Sequence, residues 1–221
     1  MSLEETQAAR VTGILWAAIH SFGGTGILPC AGHRHHRAAF DPEWLATLPL
    51  PVDHDRPGDA PVALLDEQRK FDRHTDEGVL RQAYKVRRRT RVYEDIGRDT
   101  PHAWYSHVAQ HLGRLAASDL QVVCSIFQSN CGDAGLAAHW DTWYGAIVQI
   151  SGAKTWRIGP GLFNNADPLE VLTTTAGDVL LLPKGLPHRV DTPPSPGTSL
   201  HLTFAIDRED IPTDTAAGHA R

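Results

Sequence analysis

The second half of the chain is built from short apolar runs separated by turn residues. Val, Ile, Leu and Phe dominate the runs, while glycine or proline interrupts the chain between them. Many short strands at such spacing are typical of a β-sandwich or jelly roll. The runs that we predict as strands are 120–128, 144–150, 154–158, 169–174, 178–182, 188–191 and 199–206.

Two of these runs, 144–150 and 154–158, lie on either side of Ser151 and Gly152. A short glycine-containing segment between two apolar runs is typical of a tight turn. We therefore predict that the two runs pair with each other as a β-hairpin.

Helices are predicted in the first half of the chain. Residues 4–20 hold an apolar stretch that is too short to span a membrane and that follows two glutamates instead of a basic region, so they predict a buried helix rather than a signal peptide. Residues 102–117 repeat apolar side chains at helical spacing and predict another helix. Residues 63–84 are expected to be weakly helical, residues 86–93 to form a strand, and the histidine-rich residues 33–36 to form a surface loop.

The length of 221 residues is that of one domain with flanking segments. Prolines at four positions between residues 47 and 61 indicate a loop or linker. We therefore predict an N-terminal helical and loop segment in residues 1–61 and a jelly-roll domain in residues 62–206. Residues 207–221 are small and polar, which predicts a disordered tail.

Composition and charge narrow the class of partner and the compartment. The formal net charge is −5 at pH 7, which argues against a nucleic-acid partner because phosphate binding needs a basic surface. Cys30, Cys124 and Cys131 have no C-x-x-C spacing, so they indicate neither a disulfide framework nor a zinc site. We expect a cytoplasmic protein without a membrane partner.

The candidate metal ligands begin with His139 and Asp141, which form an H-x-D motif. Residues two apart in an extended strand point to the same face, so an imidazole and a carboxylate converge there. Further along, a predicted buried strand and the loop 183–187 lead to His188, a second imidazole near the start of a strand. Two histidines and one carboxylate, with coordination positions left open, form the facial triad of non-haem Fe(II) oxygenases. His201 is the next candidate for the second histidine.

Together these motifs resemble a known family. The matching stretches are 135–141 (GLAAHWD), 149–158 (QISGAKTWRI), 177–188 (GDVLLLPKGLPH), 191–193 (DTP) and 199–203 (SLHLT). In this order they resemble the Jumonji-C (JmjC) subfamily of cupin-fold Fe(II)- and 2-oxoglutarate-dependent oxygenases, most of all its ribosomal-oxygenase-like branch with its bacterial relatives. The resemblance covers roughly residues 62–206. It implies a mainly β fold with N-terminal helices around a double-stranded β-helix, or jelly roll.

The resemblance implies a role for each ligand and for one lysine. His139, Asp141 and His188 would hold Fe(II), and Lys154 would pair with the distal carboxylate of 2-oxoglutarate. A lysine among apolar strand residues rarely stays buried without an anionic partner, which favours the same role for Lys154.

The chain departs from the family in the strand that precedes the H-x-D motif. The family's branch often carries an Asn-x-Tyr pair there that helps to hold the cosubstrate, whereas this chain has Ser125 and Phe127. Phenylalanine cannot donate a hydrogen bond, and serine is shorter than asparagine. The candidates to supply these contacts are Ser125, Thr203 and His201.

Two tryptophans near the H-x-D motif are candidates for lining a substrate pocket. Trp143 shares the parity of Asp141 along the predicted strand, so its ring is expected to face the pocket. Trp140 has the opposite parity and is expected to pack in the core.

By resemblance, the activity is that of an Fe(II)-dependent dioxygenase that uses 2-oxoglutarate and O2 to hydroxylate an unactivated C–H bond. The predicted substrate is an amino acid that is free, carrier-bound or part of a peptide or small natural product, which the short segment after the last strand favours. One alternative is a protein side-chain hydroxylase of the ribosomal-protein type. Another is a metal-dependent cupin isomerase or binding module that does not use 2-oxoglutarate, against which Lys154 argues. We expect a monomer, or a dimer formed through the N-terminal residues.

Overall fold

The computed structural model of the protein describes residues 2–20, 32–52, 62–65, 71–115, 121–164 and 167–206. Its helices are α1 (Leu3–His20), α2 (Pro42–Ala46), α3 (Glu77–Val86) and α4 (Trp104–Leu115), with a 3-10 turn at Pro160–Phe163. Its strands are β1 (Arg34–His36), β2 (Val62–Leu65), β3 (Phe71–His74), β4 (Arg91–Tyr93), β5 (Val122–Asn130), β6 (Tyr144–Ile158), β7 (Glu170–Thr175), β8 (Val179–Leu182), β9 (His188–Asp191) and β10 (Thr198–Ile206).

The strands pair antiparallel in two connected sheets. The larger sheet has the order β1-β8-β6-β10-β5-β4-β2-β3. The smaller sheet consists of β7 and β9 on either side of the second half of β6. This mainly β architecture with a few helices confirms the predicted fold class, and β6 is the strand that joins the two sheets.

The hairpin predicted for residues 144–158 is wrong, because β6 continues through Ser151 and Gly152 as one strand of 15 residues. Gly152 has a φ of +67°, and the register of β6 on β10 shifts close to this point. The side-chain amide of Gln149 donates to the carbonyl oxygen of Ser151 at 2.8 Å. These features are typical of a β-bulge, which bends a strand without reversing it. The first half of β6 therefore pairs in the larger sheet and its second half in the smaller one.

Replacing Gly152 with alanine should destabilise the fold strongly. A Cβ atom at this position would lie 2.0 Å from the carbonyl oxygen of Thr198, and the positive φ adds backbone strain. We expect urea denaturation to show a loss of about 3 kcal/mol or more in the free energy of unfolding.

The variant Gly185→Ala is the matched control for this measurement. Gly185 also has a positive φ (+75°), but nothing lies within 4 Å of its Cβ position. Its replacement should cost only the backbone strain, about 1–2 kcal/mol. Equal losses in the two variants would contradict the steric requirement for glycine in the bulge.

The helices pack on the outer face of the larger sheet. Leu15 of α1 and Leu112 of α4 belong to the same buried cluster as Leu200, Leu202 and Phe204 of β10. Because side chains alternate along a strand, the intervening residues of β10 point to the opposite, inner face of the sheet. Among the described residues, no helix is both long enough and apolar enough to cross a membrane.

The N-terminal half differs in part from its prediction. The helices predicted at residues 4–20 and 102–117 are confirmed as α1 and α4. The expected loop at residues 33–36 instead contains β1, which pairs with β8. His35 on β1 lies 3.0 Å from a carboxylate oxygen of Asp178, a contact that a local pattern cannot reveal.

The segment predicted to be weakly helical, residues 63–84, also needs correction. It contains most of β2, then β3, and then most of α3. The four residues of β2 are all buried between neighbouring elements, so they carry no alternating pattern that would indicate a strand. The strand expected at residues 86–93 is shorter, since α3 extends to Val86 and only Arg91–Tyr93 are extended.

The domain boundaries stay predictions. α1 shares the buried cluster of the larger sheet, and β1 is part of that sheet. The predicted linker lies largely outside the described residues, since the structure is silent on residues 53–61. The predicted tail, residues 207–221, lies wholly outside them.

Candidate active site

A cavity of about 290 Å³ lies between the inner face of the larger sheet and the smaller sheet. Its wall on the larger sheet includes side chains of β4, β5 and β10, and its opposite wall includes side chains of β6 and β9. His139, Asp141, His188, Lys154, Ser125 and Thr203 all line this cavity. The fold therefore brings every predicted site residue to one space.

The side chains of His139, Asp141 and His188 converge on one point. Nε2 of His139 lies 4.0 Å from Oδ1 of Asp141, and Nε2 of His188 lies 3.6 Å from Oδ2 of the same carboxylate. The three ligand atoms lie within 4.8 Å of one another, and among the described residues this group does not include His201. Both histidines are buried, while the Asp141 side chain is 20% exposed.

Backbone hydrogen bonds hold these residues together although 48 residues lie between the two histidines in the sequence. The amide of His139 donates to the carbonyl of His188 at 2.9 Å, and the amide of His188 donates back at 2.7 Å. The amide of Gly185 donates to the carbonyl of Asp141 at 2.8 Å. The loop before β9 is thus tied to the H-x-D segment at its middle, through Gly185, and at the start of β9, through His188.

The second ring nitrogen of each histidine fixes its orientation. Nδ1 of His139 lies 2.8 Å from the carbonyl oxygen of Ala137, and Nδ1 of His188 lies 2.9 Å from that of Leu186. A carbonyl oxygen can only accept, so each Nδ1 carries a proton, and in a neutral ring Nε2 is the nitrogen with a lone pair for a metal. Histidines that bind metals are commonly anchored in this way. The two imidazoles and the carboxylate therefore fit a divalent transition metal such as Fe(II), with coordination positions left open towards the cavity.

Lys154 lies in the second half of β6 and is 3% exposed. Its ammonium donates to the hydroxyls of Ser129 and Thr192, the latter at 3.0 Å. Within the described part of the chain, no carboxylate forms an ion pair with it. Burial lowers the pKa of Lys154 to about 8, against the opposing effect of Asp191 and Asp133. The structure thus holds a buried cation that lacks an anionic partner within hydrogen-bond distance.

Sequence reasoning missed Ser129 and Thr192. Ser129 has the same parity on β5 as Ser125 and Phe127, so it could have been recognised as a cavity-side residue. Thr192 directly follows β9, and only the register of β9 on β6 brings it to Lys154. The two hydroxyls also lie 2.7 Å from each other.

Ser125 and Thr203 lie opposite each other on β5 and β10. Both are buried, and both line the cavity. The hydroxyl oxygen of Ser125 accepts a hydrogen bond from the amide of Asp95 at 3.2 Å. Their positions are compatible with contacts to a bound ligand, and their role as cosubstrate contacts stays a prediction.

The alternation of side chains along a strand predicts the position of Trp143 correctly and that of Trp140 incorrectly. Trp143 lines the cavity, as expected. Trp140 also lines it but is 49% exposed and packs edge-on against Phe163, so the core position predicted for Trp140 is wrong. His139 forms an isolated bridge with His188, and residues 140 and 141 are not part of a strand, so parity is a weak guide there.

Comparison with known proteins points to one family. Residues 103–212 match the family described as "JmjC domain". Ribosomal oxygenase 1 from Gallus gallus is 28% identical over 116 residues, and Ribosomal oxygenase 2 from Bos taurus is 26% identical over 157 residues. These matches cover 45% and 63% of this chain. They cover only 18% and 33% of the relatives' own lengths.

Solved structures share the fold. The X-ray structure of E. coli ycfD superposes on 82% of this chain and 51% of its own, with a TM-score of 0.58 and 13% identity. A structure of YcfD described as a ribosomal oxygenase in complex with cobalt and 2-oxoglutarate superposes on 81% of this chain and 49% of its own, with a TM-score of 0.54 and 15% identity.

The antiparallel sheets around a His–Asp–His cluster, together with the family match, define the class of protein: the chain is a cupin-fold protein with a JmjC domain. In sequence it is similar to the two ribosomal oxygenases named above, and in fold it is similar to E. coli ycfD. The family resemblance and the jelly-roll core predicted from the sequence are thereby confirmed.

Proposed function

We propose that the protein is an Fe(II)- and 2-oxoglutarate-dependent dioxygenase that hydroxylates a C–H bond of its substrate. The observation that carries the proposal is the combination of two features in one cavity. His139, Asp141 and His188 converge at one point of the cavity, and Lys154, whose ammonium is buried, lies on β6, the strand that pairs with β9, where His188 lies. The triad suits a redox-active divalent metal, and the lysine suits an acidic cosubstrate.

The chain's own residues have distinct tasks in this reaction. His139 and His188 bind the metal through Nε2 as neutral imidazoles, and Asp141 binds it as an ionised carboxylate. Bound there with 2-oxoglutarate and O2, iron supplies the oxidising chemistry, whereas the protein supplies orientation and a site shielded from water. The carbonyls of Ala137 and Leu186 keep both rings in the ligating tautomer.

Lys154 binds the distal carboxylate of 2-oxoglutarate. The bound anion offsets the cost of burying the ammonium, whose hydrogen bonds within the described residues go to two hydroxyls. In a cupin isomerase without a dicarboxylate cosubstrate, this buried charge would remain without a bound anion.

The proposed substrate is an amino acid that is free, carrier-bound or part of a peptide or small natural product. A cavity of about 290 Å³ is at the low end for small-molecule sites. Once the dicarboxylate is bound, the remaining space suits one side chain. Hydroxylation of a protein side chain is the second candidate, favoured by the half-exposed Trp140 and Phe163 beside the cavity, which offer a surface outside it.

The proposal is tested by adding Fe(II) and 2-oxoglutarate to the full chain without O2, followed by O2. We expect the absorption band of the Fe(II)–2-oxoglutarate chelate, and then formation of succinate that depends on iron. Glutarate is the matched control ligand, since it has both carboxylates but lacks the keto oxygen and should give no band. Screening amino acids and peptides for faster succinate formation would identify the substrate. A chain that binds iron but gives neither the band nor succinate would contradict the proposal.

A further inference from the structure

His201 is a buried side chain that the triad and Lys154 leave without a role. It lies on the inner face of β10, lines the cavity and is only 3% exposed. Within the described residues, neither of its ring nitrogens forms a hydrogen bond, and Nδ1 is fully sealed from solvent. Buried polar groups in native proteins are nearly always paired, so an unpaired imidazole in a cavity wall indicates a missing partner.

The orientation of the His201 ring is fixed by aromatic neighbours. Phe127 stacks on it with 5.1 Å between ring centroids and an interplanar angle of 6°, and Trp156 lies 5.9 Å away. The ring therefore has little freedom to turn towards another protein group. Its Nε2 can be satisfied only by something that enters the cavity, because Nδ1 is sealed from it.

Strand register places His201 next to the lysine end of the cavity. Ser199 pairs with Ser129, one of the two residues that hold the Lys154 ammonium, and His201 pairs with Phe127 one step further along. The pair Thr203 and Ser125 follows after that. Side chains two residues apart on a strand point to the same face, so His201 lies on the cavity side of β10 directly after Ser199. Its ring is therefore close to the hydroxyl of Ser129 and to the ammonium that this hydroxyl binds.

The charge and tautomer of His201 follow from its surroundings. Burial, and after it the nearby Lys154 ammonium, lower the pKa of His201 well below its usual value, so the ring is neutral. A neutral imidazole has one donor and one acceptor nitrogen. A proton on the sealed Nδ1 would be a buried donor without an acceptor, the rarer and costlier kind of orphan. The proton therefore resides on Nε2, the nitrogen that is not sealed from the cavity.

We propose that Nε2 of His201 donates a hydrogen bond to the distal carboxylate of the dicarboxylate that Lys154 binds. The inference rests on the proposed function and adds a second recognition group for the same carboxylate. It also explains how the site works with Phe127, which offers no hydrogen-bond donor: the phenylalanine ring orients the histidine that donates in its place.

The test compares His201→Phe with His201→Gln in the full chain by anaerobic titration of 2-oxoglutarate into the Fe(II) form. Phenylalanine keeps the aromatic packing but has no donor, so we expect binding roughly ten- to a hundredfold weaker. Glutamine retains an N–H donor and should recover most of that loss. Titration of 2-oxobutyrate, which lacks the distal carboxylate, should differ less than about twofold between wild type and His201→Phe, because the lost bond is made only to that carboxylate.

A second measurement uses the wild type and does not depend on the folding of a variant. In the Zn(II)-loaded, histidine-labelled protein, saturating 2-oxoglutarate should move the Nε2–H resonance of His201 downfield, as expected for a new bond to a carboxylate. An unmoved resonance, or unchanged 2-oxoglutarate affinity in His201→Phe, would overturn the inference and leave the proposed function standing. Absence of the chelate band in the wild type would overturn the proposed function, and the inference with it.

Discussion

Replacing His188 with alanine should abolish succinate formation and weaken Fe(II) binding by more than about a hundredfold. Loss of a group that merely orients a metal ligand typically costs 10–100-fold in affinity, so loss of a ligand itself should cost more. Asp141→Ala and His139→Ala should behave alike, because the three ligand atoms share one point. Iron content after dialysis and succinate formation measure the two effects.

The control for this series is His107→Ala, a histidine on α4 that does not line the cavity. It should leave both iron content and turnover at the wild-type level. His188 is buried, so each variant is also checked for an unchanged unfolding midpoint. If His188→Ala retained near-normal iron and activity, the second histidine ligand would be misassigned. His201 would then be the next candidate, and the inference of a cosubstrate contact would fall with the assignment.

The later strands could be predicted because their signal is local. Each apolar run from β5 to β10 ends at glycine, proline or a polar segment. Such residues end a strand through their local backbone preferences, which do not depend on tertiary contacts. Ser151 and Gly152 favour both a turn and a bulge, so the sequence predicts a turn where β6 has a bulge. Which of the two forms depends on β10, whose Thr198 carbonyl leaves no room for a side chain at Gly152.

The sequence predicts the metal ligands of the candidate site, because they lie in short motifs. It does not predict the contacts that depend on how the strands pair with one another. The ligands of the triad stand in short recognisable stretches around Asp141 and His188. The hydroxyls that hold Lys154 come from β5 and from the residue after β9, and no local pattern links them to that lysine. The long pairing of β10 with β5 likewise brings His201 beside Phe127, a contact that requires knowledge of the register.

Replacing Lys154 with methionine should weaken 2-oxoglutarate binding roughly a hundredfold or more while iron still binds. Methionine keeps much of the packing volume but leaves the distal carboxylate of the cosubstrate without its cation. Removal of one partner from a buried ion pair costs about 3–5 kcal/mol, and each 1.4 kcal/mol is about tenfold in affinity. Anaerobic titration of 2-oxoglutarate into the Fe(II) form measures this directly. If Lys154→Met bound 2-oxoglutarate as tightly as the wild type, Lys154 would not bind the cosubstrate, and the isomerase alternative would be favoured.

The pH dependence of the same titration identifies the lysine as the charged group. The pKa of Lys154 in the free protein is about 8, below the usual value for lysine, because the side chain is buried. The carboxylate binds the protonated form, so wild-type affinity should be constant below about pH 8 and should fall by up to about tenfold per pH unit above it. Lys154→Arg should bind more weakly than wild type, since the planar guanidinium needs a different geometry, but its affinity should not change over this range because arginine stays charged. A wild-type curve as flat as that of the arginine variant would mean that the ammonium of Lys154 does not bind the cosubstrate.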